Sequence, residues 1–511
     1  MIKLTKTLMA AALLAAHAGV LHAAVTEQEA KQLGSTLTPL GAEMAGNADG
    51  TIPAYTGGLL TAPAGFDKTT GIRPDPFANE KPQFSIDASN VDTYADKLTE
   101  GTKALIKARP GFRVDVYPTH RTVGYPQFVL DNTRKNATQA QLTNDDQNLQ
   151  GARAGVPFPI PKRGIEVMFN HLTRYQGVGY LAPKYGAYNV DAAGKLVVST
   201  EGRWMYEMPY YDTSKAEAPT IITRARANYT GPARRAGEAV MTFDNIDTEK
   251  GRRAYQYLPG QRRVRLAPDL AYDTPNASTS GMSTVDDIYL FNGRLDRFDW
   301  KLIGKKEMYV PYNTYRFTYA EDPKNVFGPK FINPDLVRWE RHRVWVVEAT
   351  LKEGKRHIYS KRTFYIDEDS WTALAVDQYD GRGQLWRPGF SYMTQMYDVG
   401  AINNSPGGHY DLIAGTYYIN VWPGKGGVKV MDKLSPDNGW TSDSLAGAGV
   451  RLSGSTPIAA QGRSHRLSGS GLAPRCRSGH PARLIGPIAF PYLTPQHLAD
   501  GAQRQGIDQL D

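Results

Sequence analysis

Apolar and polar positions alternate with a period of two through much of the second half of this chain. In RHRVWVVEATL, Trp345, Val347, Ala349 and Leu351 fall on one face, and Val344, Val346, Glu348 and Thr350 on the other. Both faces are partly apolar, so the strand needs cover on both sides. The pattern recurs through residues 341–386 as four strands joined at Lys352-Glu353-Gly354, Asp367-Glu368-Asp369 and Asp380-Gly381-Arg382-Gly383, each joint carrying turn chemistry. Upstream, strand patterns run from about Leu196. Arg252–Leu258 and Arg262–Ala267, separated by Pro259-Gly260-Gln261, predict a hairpin because Pro and Gly supply the turn dihedrals.

The first part of the body reads differently. Residues 24–165 are rich in Pro, Gly and Asn, with helical patterns near Val91–Lys107 and Asn136–Gly151 and a further short helix at Ile165–Tyr175. Prolines fix φ and remove backbone donors, so this segment is expected to wrap over another surface and not to form the centre of a sheet.

The two ends stand apart from the body. Lys3 and Lys6, an Ala/Leu run from Leu8 to Val20 and the small residues Ala23 and Ala24 form the pattern of a secretory signal peptide, and no Cys follows to take a lipid anchor. From Arg451 onward there is neither Lys nor Glu, while Arg, Ser, Gly and Pro dominate without any amphipathic period. That tail reads as a disordered extension or as translation in a shifted frame, with a basic tail for an anionic surface as the functional alternative. The expected organisation is therefore a signal peptide over 1–23, a wrapping segment with short helices over 24–190, an antiparallel β domain over 191–450 and the tail over 451–511.

Composition narrows the classes. Across 511 residues, 41% hydrophobic and 22% charged positions are those of a globular protein. A single cysteine, Cys476, excludes an intramolecular disulfide framework and thiolate zinc clusters. The mean hydropathy of −0.46 and the absence of a long apolar run after the first 25 positions argue against a transmembrane helix in the mature chain. The formal charge is +9, but the leader lysines and the net +4 of the tail leave the body only +3, so nucleic acid is not an expected partner.

Reactive chemistry is scarce. The five body histidines (His120, His171, His342, His357, His409) show no metal spacing, and His120 in YPTHR is the one singled out for testing. The sequence has no GxSxG elbow and no phosphate-binding GxxxxGK[ST]. The acidic groups Asp286-Asp287, Asp296/Asp299 and Asp367/Glu368/Asp369 would serve glycoside hydrolysis only if brought into facing pairs, and their turn neighbours favour solvated turns. Arginine-rich stretches at 234–235, 252–253, 262–265 and 338–343 alternate with Tyr, Trp and Val, which puts several arginines on one sheet face, either solvated or set for anionic head groups. No catalytic residue, metal site or cofactor is expected.

Several blocks in order, among them STLTPLGAEMAGNADGTIPAYTGG, VPFPIPKRGIEVMFNHLTRY, YQYLPGQRRVRLAPDLAYDTP, DIYLFNGRLDRFDWKLIGKKEMYVPYN and the 341–386 region, resemble an uncharacterised exported bacterial family described as outer-membrane lipoprotein-sorting-like. The resemblance runs from about Thr26 to Trp386 and less clearly to Val450; the tail departs from it. It implies a β-rich α+β fold like that of LolA and LolB, an incomplete antiparallel β-barrel with covering helices around an apolar cavity for acyl chains. It assigns no catalytic residue.

Together the residues and the resemblance lead to one expectation: a non-catalytic periplasmic carrier or chaperone for a hydrophobic cargo such as a lipid or lipoprotein. The alternatives are an accessory protein docking on an outer-membrane or efflux partner and, third, a carbohydrate hydrolase. The residues expected to line the cavity are Trp345, Val347, Phe364, Tyr365 and Trp371, with Tyr255, Tyr257 and Val264 opposite. Arg262 and Arg263 are the head-group candidates at its mouth.

Overall fold

The computed structural model describes residues 25–450. The leader and the tail therefore lie outside the described residues. Within them, one 16-stranded sheet organises the chain. At one end of it lie β1 (Phe84–Ile86) and β2 (Val114–Val116), while β3 (Gln141–Thr143) and β4 (Asn148–Gln150) make a separate hairpin. One run of long strands follows: β5 (Gly179–Val190), β6 (Leu196–Glu207), β7 (Ile221–Gly231), β8 (Ala239–Asn245), β9 (Arg252–Leu258) and β10 (Arg263–Leu266). A second comprises β11 (Phe298–Pro311), β12 (Trp339–Leu351), β13 (Lys361–Asp367), β14 (Ala373–Tyr379) and β15 (Leu385–Ser391). The small pair β16 (Thr394–Met396) and β17 (Ala401–Asn403) precedes β18 (Gly407–Tyr410) and β19 (Tyr417–Trp422), which splice the two runs together, and β20 (Lys429–Met431) adds to β5.

Every long-strand pairing is antiparallel, and the order runs β11-β12-β13-β14-β15-β18-β19-β5-β6-β7-β8-β9-β10. Among the described residues no ladder joins β10 to β11, so the sheet is open. Residues 267–297, the link between those two edges, lie across one face of the sheet, here called the inner face. Helices are few: α1 (Glu100–Ala108), α2 (Gln127–Gln139), α3 (Gly164–Thr173) and α4 (Ser442–Val450) are the ones longer than two turns. Among the described residues no helix is long and apolar enough to cross a membrane.

Both faces of β12–β14 are covered, as the two-sided apolar pattern requires. The inner face packs under α3 and residues 267–297: Phe291 lies 5.8 Å from Phe364, and His171 Nε2 of α3 donates to the carbonyl of Phe291 at 3.0 Å. The outer face packs under α1, whose first turn brings the Gly101 amide 2.9 Å from Asp377. The wrap itself is pinned by charge. Arg121 grips Asp369 with two hydrogen bonds of 2.7 and 2.9 Å, Arg73 pairs with Asp398 at 2.6 Å, and Trp371 donates to the Leu40 carbonyl.

Two local expectations differ from the structure. Helix α2 ends at Gln139, so only the first four residues of Asn136–Gly151 are helical: Asn144, Asp145 and Asp146 adopt positive φ in a tight turn between β3 and β4. Strands begin before Leu196, with β5 on the N-terminal side of the expected 190/191 boundary. Pro183 falls inside β5 where its register against β6 shifts between Ala182 and Tyr185, which is how a strand tolerates a residue without an N–H.

Candidate functional site

Strands β6–β9 present different residues to their two faces. Pairing puts Trp204 opposite Ala227, Tyr206 opposite Ala225, Ala227 opposite Val240 and Val240 opposite Gln256, so these share the inner face. The outer face carries Met205, Met241, Phe243, Tyr255 and Tyr257, which pack with Trp440 and Leu445 at the C-terminal end of the described chain. Small side chains dominate the middle of the inner face. Ala225, Ala227 and Thr242 leave volume that the aromatic residues at the rim do not fill.

The cover over this face, residues 267–292, stands off the alanines. Between them lies a cavity of about 80 Å³, lined by Tyr185, Trp204, Tyr206 and Tyr229, by Ala225, Ala227 and Val240, and from the cover by Leu270, Val285 and Ile288. That space is small beside the roughly 300–1,000 Å³ of sites that bury a drug-sized ligand, so a larger cargo fits only if the cover shifts. A second, smaller cavity of about 40 Å³, lined by Leu172, Ile222 and Tyr272, shares Asp244, Arg252 and Asn292 with the first.

The cover is tethered by polar contacts. The Ser278 carbonyl accepts from Ser199 and Thr200 at 2.8 and 2.9 Å, Asn189 donates to the Thr279 carbonyl at 2.8 Å, and Arg235 donates to the Ala277 carbonyl at 2.6 Å. Its far part is clamped harder. Arg362, fully buried, binds Asp286 through two hydrogen bonds of 3.0 Å and Asp287 at 2.9 Å. Burial raises the proton affinity of Asp286, but Arg362 and His357 overcome it and hold the carboxyl well below its ordinary range.

Charge inside the cavity is neutralised. Asp244, the one carboxylate among the lining residues, meets Arg252 at 2.7 and 3.2 Å and accepts from Thr223 at 3.1 Å, while Arg235 pairs with Glu238 at 2.9 Å. Burial pushes the hydroxyls of Tyr185, Tyr206 and Tyr229 above the usual phenol range, so they stay protonated and act as hydrogen-bonding groups only. The arrangement offers apolar surface and fixed dipoles.

The residues expected to line the cavity lie elsewhere. Val347 and Phe364 are opposite each other in the fully packed inner face of β12–β13. Tyr365 points to the outer face, where its hydroxyl donates to Asp377 at 3.0 Å. Trp345 and Trp371 stack at 6.2 Å under the wrap. Tyr255, Tyr257 and Val264 pack together on the far side of β8–β10. None of the eight lines the cavity; Arg262 and Arg263 are exposed on the β9–β10 turn. The lining alanines carry no signal of their own in the sequence, whereas the alternation of Trp204 and Tyr206 was available to mark the face.

The other sequence candidates sit in charge networks. His120 stacks on Phe77 at 4.0 Å and bonds Glu80 at 2.7 Å. Glu368 meets Lys305 and Arg343, and Asp296 accepts from Tyr272. His342, Asp367 and Asp369 offer ligand atoms within 4.8 Å of one another, but both Asp369 oxygens are taken by Arg121 and His342 Nε2 by Glu340.

Comparison with known proteins places this geometry in context. An uncharacterized protein of Pseudomonas aeruginosa, PA3922, is 42% identical over 407 residues, covering 77% of this chain and 87% of its own. Two solved structures align at low similarity. A DUF1329 family protein from Desulfovibrio piger shares 16% identity over 53% of this chain and 92% of its own, with a TM-score of 0.35. A LolA superfamily protein from Nitrosomonas europaea shares 11% over 56% of this chain and 100% of its own, with a TM-score of 0.33. The model of the family described as protein of unknown function, DUF1329, matches residues 85–446, and the chain belongs to that family.

Proposed function

We propose that this protein is a non-catalytic carrier or chaperone that holds a hydrophobic cargo, a lipid, an acylated protein segment or a similar molecule, in the cavity under residues 267–292. The observation that carries the reading is the inner face of β6–β8, where Ala225, Ala227 and Thr242 sit beneath a cover that does not fill the space they leave. Transfer of apolar surface from water supplies affinity without polar recognition, about 0.8 kcal/mol for each buried methylene. The open antiparallel sheet is then a half-barrel of the LolA/LolB kind, and residues 267–297 with α3 are its cover. On this reading residues 1–23 are a cleaved leader and the mature chain works in the periplasm.

Mass spectrometry of organic extracts from the purified full chain tests it directly. A co-purifying apolar compound, released in proportion to protein, is the expected result. An apolar fluorescent probe should bind saturably and be displaced by a fatty acid. An empty extract together with non-saturable probe binding would overturn the carrier reading.

A further inference from the structure

Many arginines of this protein pair with acids, and exposed ones that meet none among the described residues stand singly, as at Arg203, Arg234, Arg356 and Arg382, but as a group in one hairpin. Arg235, Arg252, Arg338, Arg341 and Arg343 all meet carboxylates. Arg253, Arg262, Arg263 and Arg265 meet none among the described residues. Arg253 lies over the rings of Phe243 and Tyr255, Arg265 donates to Gln256, and all four are exposed. They belong to one hairpin, β9–β10, whose sequence RRAYQYLPGQRRVRL holds five arginines and no acid. The last residue of that hairpin, Leu266, is 58% exposed, a large apolar side chain in water beside the cationic turn.

We infer that the β9–β10 hairpin docks this protein on an anionic lipid surface. A free strand edge lined by arginines is a poor template for strand addition, because adjacent charges oppose edge-to-edge pairing. Unpaired cations beside an exposed leucine suit a membrane interface, where each basic residue near an anionic surface contributes and the apolar side chain enters the head-group boundary. Position supports the same occupant. Arg252 and Gln256 of β9 line the cavity, and Leu270, four residues beyond Leu266, belongs to its cover, so docking here sets the cavity wall against the bilayer. The inference adds to the carrier reading the surface through which cargo would enter or leave, but the binding itself is read without cargo.

Co-sedimentation of the full chain with phosphatidylcholine vesicles, with and without a minority of phosphatidylglycerol, tests it. Binding is expected only with the anionic lipid and should weaken as salt rises. The triple variant Arg262→Gln, Arg263→Gln, Arg265→Gln should lose about a hundredfold in vesicle affinity, and Leu266→Ser a smaller factor. Lys352→Gln, Lys355→Gln, Arg356→Gln, which removes the same charge from the exposed β12–β13 turn, should change binding by less than about threefold. Equal loss in both triple variants would reduce the effect to net charge and overturn the assignment. So would equal binding to neutral vesicles, or none to either, the last leaving an acidic protein as the partner of this patch. Thermal melts of each variant exclude misfolding, and because no cargo enters the assay, a negative result here leaves the extraction and probe experiments free to succeed or fail on their own.

Discussion

Two stretches of one sheet, facing the same side, are finished in opposite ways. Along β12–β14 the inner face offers Val347, Phe364 and Val376, and Phe291 and Trp300 close on them with ring separations under 6 Å. Along β6–β8 that face offers Ala225, Ala227 and Thr242, and the same covering segment stands clear. The difference lies less in polarity than in volume. A sheet makes a binding space by withholding side-chain bulk, and large aromatics mark the filled half as readily as the hollow one.

The most severe way to break the contrast is to hollow the packed half. Phe364→Ala should cost about 3–5 kcal/mol in denaturant unfolding, and Val347→Gln on the order of 2 kcal/mol or more for a buried unpaired amide. A loss below about 1 kcal/mol in both would mean that the packed half yields as a cavity wall does.

A pH experiment sharpens the picture of the packed half from its outer side. Asp377 is buried with neutral donors, among them the Tyr365 hydroxyl and the Gly101 amide, and burial raises its carboxyl from 3.8 to about 6. A carboxyl whose folded value exceeds its unfolded one binds more protons in the native state, so the contribution of Asp377 to stability is greatest at acid pH and falls as pH rises from about 4 to about 6. Asp377→Asn, able to accept from Gly101 and donate to Tyr365, should remove that decline and raise stability at pH 7 by on the order of 2 kcal/mol. An unchanged pH profile would show that the group ionises freely.

Filling the hollow half should do less to the fold and more to binding. Ala227→Leu is expected to change stability by under about 1 kcal/mol while weakening an apolar probe at least about tenfold. A loss above about 2 kcal/mol would show that the space is already close-packed. The smallest effect is optical. Trp204 lines the cavity, so cargo should shift its emission, and Trp204→Phe should abolish that change with binding intact.

Much of this fold was legible in the residues. Pro259-Gly260 announced the β9–β10 turn, and the two-sided apolar pattern of β12 required the double cover it has. Strand β5 was hidden by Pro183, whose cost a bulge absorbs, and the acidic turn at Asn144–Asp146 read as helix because its left-handed backbone leaves no periodic trace. The site was legible as a kind of surface but not as residues. Alternation assigns Tyr255 and Gln256 to opposite faces without saying which is inner, and the decisive residues, alanines, differ from their neighbours only in what they lack.

The covering segment also separates two properties of any cargo complex. Residues 267–297 bridge the free edges at β10 and β11, held by ion pairs where Asp286 and Asp287 meet Arg362 and near Ser278 only by single hydrogen bonds to backbone carbonyls from Ser199, Thr200, Asn189 and Arg235. How tightly cargo is held is then set by the wall, whereas how long it stays is set by how often the lightly held stretch lifts. Residence time would be adjustable at Ser199 and Thr200, which touch the cover and not the apolar wall.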